Sequence, residues 1–116
     1  MGTDIDNSPE FRERAMADFL VSIDTTDVFA LPHDTRAEVV ERERAAGRAL
    51  IEAGTLKGIW RVPGEKGNVG IWSAADADQL HDVLQGLPIF PYARFHVRPL
   101  ATHPLTSGAE DFFNKP

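Results

Sequence analysis

Two short runs rich in β-branched and aromatic residues, Gly58-Ile59-Trp60-Arg61-Val62 and Asn68-Val69-Gly70-Ile71-Trp72, are separated only by Pro63-Gly64-Glu65-Lys66-Gly67. So short a joint cannot hold the crossover that parallel strands need, so the pair predicts an antiparallel hairpin with Pro and Gly in its turn. A lone hairpin is marginal in water, and the flanking chain must extend it and cover it. Phe19-Leu20-Val21-Ser22-Ile23, ending at Asp24, predicts a strand buried over much of its surface. Arg94-Phe95-His96-Val97-Arg98 alternates, with Ala93, Phe95 and Val97 on one face and Arg94, His96 and Arg98 on the other, which predicts a half-exposed fourth strand.

The segments between these runs read as helices. Thr35 and Glu38 have the spacing of a capping box, which predicts a helix from about Arg36 to Ala53 with Val39, Ala46, Leu50 and Ala53 on one side. Gly54 then stops it. Ser73 with Asp76 offers a second cap, and Ala77, Leu80, Leu84 and Leu87 give a shorter helix its apolar face before Pro88 and Pro91 end it. The order is βαββαβ, which predicts an α+β, ferredoxin-like domain whose four-stranded antiparallel sheet carries two helices on one face. The other face needs a cover, and a second copy of so small a domain is the expected one. Residues 18–100 form the predicted domain. Residues 1–17 read as an N-terminal extension, in part carried over from expression, with Met16 a candidate natural start; residues 101–116 read as a tail that packs on a neighbouring subunit.

Composition narrows the function. The chain of 116 residues is 42% hydrophobic and 26% charged, as expected of one globular domain. No run approaches the roughly 20 apolar residues of a membrane span and the amino terminus has no signal-peptide pattern, so the cytoplasm is the simplest location. Cysteine is absent, which removes disulfides, thiolate catalysis and thiolate metal sites. A net charge of −6 with dispersed Lys and Arg argues against nucleic acid, but leaves room for a small anionic ligand held by local cations. His33, His81, His96 and His103 form no close ligand pair, so no metal is expected.

One carboxylate is out of place. Taking Val39 as zero and advancing about 100° per residue, Glu43 falls near 40°, inside the apolar stripe, while Glu41 and Glu52 fall near 200° and 220°, on the wet side. A carboxylate withdrawn from water has a raised pKa and can take up and return a proton near neutral pH. The alternative is a structural ion pair at the edge of the packed face with Arg36 or Arg61.

Several elements together resemble the muconolactone Δ-isomerase family: Glu43 in the first helix, Leu50-Ile51-Glu52-Ala53-Gly54-Thr55, Trp60-Arg61-Val62-Pro63-Gly64, Asn68, Leu80-His81-Asp82-Val83-Leu84, Leu87-Pro88-Ile89-Phe90-Pro91-Tyr92 and His103-Pro104. The resemblance spans about residues 19–104. It implies a ferredoxin-like subunit of the dimeric αβ-barrel type, a homodimer extending to a decamer of five dimers, and no metal or organic cofactor. It implies conversion of (+)-muconolactone to 3-oxoadipate enol-lactone in catechol degradation, the β-ketoadipate pathway of aromatic catabolism. Glu43 would be the acid/base, Arg61 would pair with the substrate carboxylate, and Trp60, Asn68, His81 and Tyr92 would bind substrate; each of these four also has an ordinary packing or capping role. Departures stand at Leu20 and Ser22, where the family leads one to expect polar or basic residues, and at Glu65-Lys66 in the hairpin turn. They leave open a chloro- or methylmuconolactone-processing relative, a dehalogenase or isomerase, and beyond enzymes a non-catalytic dimeric ligand-binding protein.

Overall fold

The computed structural model describes residues 16–107. The first strand, β1 (Ala17–Asp24), leads through a one-turn helix, α1 (Thr26–Phe29), into the long α2 (His33–Glu52). β2 (Leu56–Arg61) and β3 (Gly67–Ala74) form the hairpin; α3 (Ala77–Gln85) and a 3-10 turn (Phe90–Tyr92) lead to β4 (Arg94–Leu100) and a final turn of helix, α4 (Pro104–Ser107). The sheet order is β2-β3-β1-β4 with every neighbouring pair antiparallel, the ferredoxin-like arrangement.

Alternation along the strands sorts their side chains between two layers. Phe19 lies opposite Trp72, Val21 opposite Gly70 and Ile23 opposite Asn68, and this face meets the helices. Phe19, Val21, Ile23, Leu56, Trp72 and Ala74 form the core with Val39 of α2, Leu80 and Leu84 of α3, and Leu87 and Ile89 beyond it. The opposite face has no helix over it among the described residues and carries Leu20, Ser22, Val69, Ile71 and Trp60, the last 56% exposed. Val97 shares the helix-facing side through its pairing with Val21, yet is 40% exposed because β4 is an edge strand.

The turns follow their residues. Glu65 N–H donates to Val62 O at 3.1 Å, with Pro63 and Gly64 between them and Gly64 at φ +84°, a type II turn. Gly54, at φ +82°, closes α2 in a Schellman arrangement: its N–H donates to Ile51 O and the Thr55 N–H to Leu50 O, each at 3.0 Å.

At four places the structure differs from the sequence reading. α2 begins at His33, one turn before the predicted start, and Thr35 caps nothing; extended Pro32 (φ −54°, ψ 147°) sets the entry, and its carbonyl accepts from the Arg36 N–H at 2.8 Å. The segment after β1 is helical at α1, where Asp24 Oδ1 accepts from the Thr26 N–H at 2.9 Å and its hydroxyl at 2.7 Å. Ser73 belongs to β3, and Asp76 alone caps α3, accepting from Gln79 N–H at 2.9 Å. Ala53 and Ala77, assigned to apolar stripes, are exposed at helix ends. Most of the N-terminal extension, and Phe112-Phe113 of the tail, lie outside the described residues.

Candidate active site

Of α2 only Val39 is buried, although a 20-residue helix could bury a full stripe. The helix stands off the sheet, and the gap is a cavity of about 970 Å³ between α2, the β2–β3 hairpin and the segment after α3. Val40, Glu43, Gly47 and Leu50 line its helix side; Leu56, Ile59, Arg61, Asn68 and Trp72 line its sheet side; Leu87 and Ile89 close one end. Arg36, Arg44, Arg48, Arg61 and Lys66 also line it, against Glu43 and Glu65, so the lining is cationic in a chain that is anionic as a whole. Such a cavity favours a small anion at short range.

Glu43 is half-buried, while Glu41 and Glu52 on the far side of α2 are exposed. Its Oε1 accepts the Ile89 backbone N–H at 3.1 Å. Neither Arg36 nor Arg61 forms an ion pair with it among the described residues; the Arg36 guanidinium donates instead to Phe29 O at 3.0 Å. Burial raises the Glu43 carboxyl above its ordinary value of 4.5, and the Ile89 N–H, which favours the charged form, partly opposes that rise. A partly desolvated carboxylate without a cationic partner suits proton abstraction better than a salt-bridged one.

Across the cavity, Asn68, Gly70 and Trp72 follow one another along the inward face of β3. Asn68 Oδ1 and Trp72 Nε1 are buried without a hydrogen-bond partner among the described residues. An unpaired buried polar atom costs on the order of 1–3 kcal/mol, so this wall carries a local polar cost behind the cavity lining. Arg61 pairs with Asn68 across the hairpin and shares that inward face.

The other sequence-nominated residues sit elsewhere. Trp60 pairs with Val69, and its ring lies over Gly58 on the outward face, where a Cβ on Gly58 would come within 2.6 Å of the ring, although the residue also borders the cavity. His81 is exposed on α3, edge-on to Phe90 at 6.5 Å between centroids. Tyr92 is half-buried against the core, its N–H donating to Ile89 O at 2.8 Å. Within one chain, then, the fold gathers Glu43, Arg61 and Asn68, and does not bring His81 or Tyr92 to them. Sequence reasoning passed over Arg44, Arg48 and the Ile89 amide. Arg44 lies about 100° round the wheel from Glu43, away from the apolar stripe; a backbone amide from a distant turn leaves no trace in residue identities.

The family model described as Muconolactone delta-isomerase matches residues 17–106. The chain is 40% identical over 90 residues to a Muconolactone Delta-isomerase of Cupriavidus pinatubonensis, covering 74% of this chain and 94% of that protein. It is 35% identical over 88 residues to one of Rhodococcus opacus, covering 76% and 95%. A crystal structure of muconolactone isomerase superposes with a TM-score of 0.66 at 28% identity, over 75% of this chain and 91% of that one. A feast or famine regulatory protein of M. tuberculosis shares the fold alone, at 21% identity and a TM-score of 0.52. With the family model spanning every strand of the sheet and relatives matched over nearly their whole length, this chain belongs to the muconolactone Δ-isomerase family of enzymes.

Proposed function

We propose that this isomerase converts (+)-muconolactone to 3-oxoadipate enol-lactone by moving one proton with Glu43. The reading rests on one observation above the others: the carboxylate is half-buried, in no ion pair among the described residues, and set in a cavity whose charged lining is mostly cationic. Ionised Glu43 removes a ring proton, the dienolate spreads its charge onto the lactone oxygen, and the protonated carboxyl returns the proton at another carbon. The cations supply what the substrate carboxylate needs, Arg61 through its planar fork. On the sheet side, the Asn68 side-chain amide N–H is the kind of donor that suits a developing oxygen charge. Every atom of the substrate is retained, so the chemistry as written calls for no redox group.

A second copy of the chain would cover Leu20, Val69, Ile71 and Trp60 on the bare sheet face, making a homodimer that can assemble further. His81 and Tyr92 would then have to reach a substrate across a subunit boundary or serve packing alone. Among the described residues no helix is long and apolar enough to cross a membrane, and a cytoplasmic catabolic enzyme is the reading that goes with the family.

Purified protein supplied with muconolactone and with 5-chloromuconolactone, followed by ultraviolet absorbance and chloride release, tests the function. Conversion without halide is expected, with Glu43→Gln folded and at least about 100-fold slower. Halide release would mark a dehalogenase instead, and near-normal turnover by Glu43→Gln would remove Glu43 from the chemistry.

A further inference from the structure

Glu43 stands on α2, yet the hydrogen bond that orients it comes from a turn 46 positions away in sequence. That turn is fixed without help from Glu43. Leu87 and Ile89, each 4% exposed, are anchored in the core on either side of Pro88. The Phe90 N–H donates to Leu87 O at 2.9 Å and the Tyr92 N–H to Ile89 O at 2.8 Å. Pro88 and Pro91 hold φ near −65° and offer no N–H of their own, so the Ile89 N–H is left as the donor at this point, and it takes Oε1 of Glu43. Oε2 has no hydrogen-bond donor among the described residues.

We propose that the Leu87–Tyr92 turn is the positioning device of this isomerase: the Ile89 N–H pins Oε1 of Glu43, and Oε2 alone carries the proton. The proposal rests on the reading of Glu43 as the base. A glutamate side chain turns about three bonds, and a carboxylate free to swing would spend much of its time away from the ring proton; misplacement by about 1 Å can cost 100-fold in rate. The same N–H also limits the rise in proton affinity that burial imposes, keeping the base ionised at lower pH than an unassisted carboxyl in that place. Arg36, Arg44, Arg48, Arg61, Glu65 and Lys66 are the other charged groups facing the cavity. Glu65 is the one other carboxylate among them, so it is the control for any pH effect.

Two measurements on the full chain decide it. In the unmodified protein, nuclear magnetic resonance should show the Ile89 amide proton moving downfield as pH rises, with the same midpoint as the Glu43 side-chain carboxyl carbon; Glu65→Gln should leave that midpoint in place. An Ile89 amide indifferent to Glu43 ionisation overturns the proposal, and this holds whether or not any variant folds. In the second, Ile89 is replaced by its α-hydroxy analogue, so that an ester oxygen stands where the N–H was. Expected are a kcat lower by roughly tenfold or more, a KM within about twofold as for groups acting on the chemical step, and an acid limb of kcat/KM shifted to higher pH. An ester protein that keeps the kcat and limb of the unmodified chain overturns the proposal. Unmodified protein that fails to isomerise muconolactone, or Glu43→Gln that succeeds, sinks the base assignment itself.

Discussion

A carboxylate half withdrawn from water is a chemical resource and a cost to the fold. Burial holds the Glu43 pKa above 4.5, so the folded chain keeps this proton to higher pH than the unfolded chain does. Below the ordinary carboxylate range both states are protonated and the residue costs nothing; as pH rises through that range the unfolded state ionises first, and stability falls until the folded carboxyl has ionised too. Glu43→Gln keeps an acceptor for the Ile89 N–H and removes the charge. It should therefore melt at a higher temperature than the unmodified protein at pH 7, with the gap closing as pH falls below 4.5; calorimetry at both pH values checks this, and a gap unchanged with pH would contradict it. The apolar stripe of α2 marks Glu43 as the anomalous acid from residue spacing alone. What the stripe left open was whether Arg36 or Arg61 neutralises it, because that depends on where a guanidinium several bonds from its backbone comes to rest; Arg36 rests on Phe29 O.

Among the elements, the hairpin and the helix ends follow rules of local chemistry, which is why Gly54, Gly64 and Asp76 do in the structure what their types suggest. The start of α2 went the other way. Thr35 and Glu38 had the capping spacing, but Pro32 lies three residues earlier and the helix begins directly after it. Gly67 carries a constraint of a different kind: a Cβ there would collide with the Ile23 carbonyl across the β1–β3 pair, and a backbone oxygen in a sheet cannot step aside. Lys66 beside it accepts the Thr25 N–H at 2.9 Å, so the strain would spread into the link between the hairpin and α1. Gly67→Ala should cost about 1–3 kcal/mol, as overpacking does, lowering Tm by several degrees in thermal circular dichroism. A melting point equal to that of the unmodified chain would show that the hairpin end can shift to make room.

For the whole molecule the deciding feature is the sheet face that carries no helix among the described residues. Leu20, Val69, Ile71 and Trp60 are adjacent there, bordered by His96 and Arg98 of β4. A sheet with helices on one side only leaves its second side to water or to a partner, and apolar neighbours in a row favour the partner. Ile71→Asp would put a charge in the middle of such an interface. Light scattering after gel filtration should find the unmodified chain at a multiple of its 12.8 kDa mass and the variant at that mass; an unmodified chain that runs as a monomer would leave the face without its proposed occupant.

The sequence by itself determined the order of elements, the antiparallel hairpin, the two-layer α+β plan and the one acid on the wrong side of its helix, because each follows from residue spacing against a fixed backbone period. The tertiary structure alone decided which way adjacent residues on β2 point. Trp60 and Arg61 were both nominated for the substrate, but neighbours on a strand face opposite layers. The register shift between Leu56 and Gly58 turns Arg61 toward α2 and Trp60 toward the open face. It also decided that Glu43 meets Ile89. That contact joins two elements 46 residues apart through a backbone amide, a group every residue but proline possesses, so nothing in the identity of either residue could announce it.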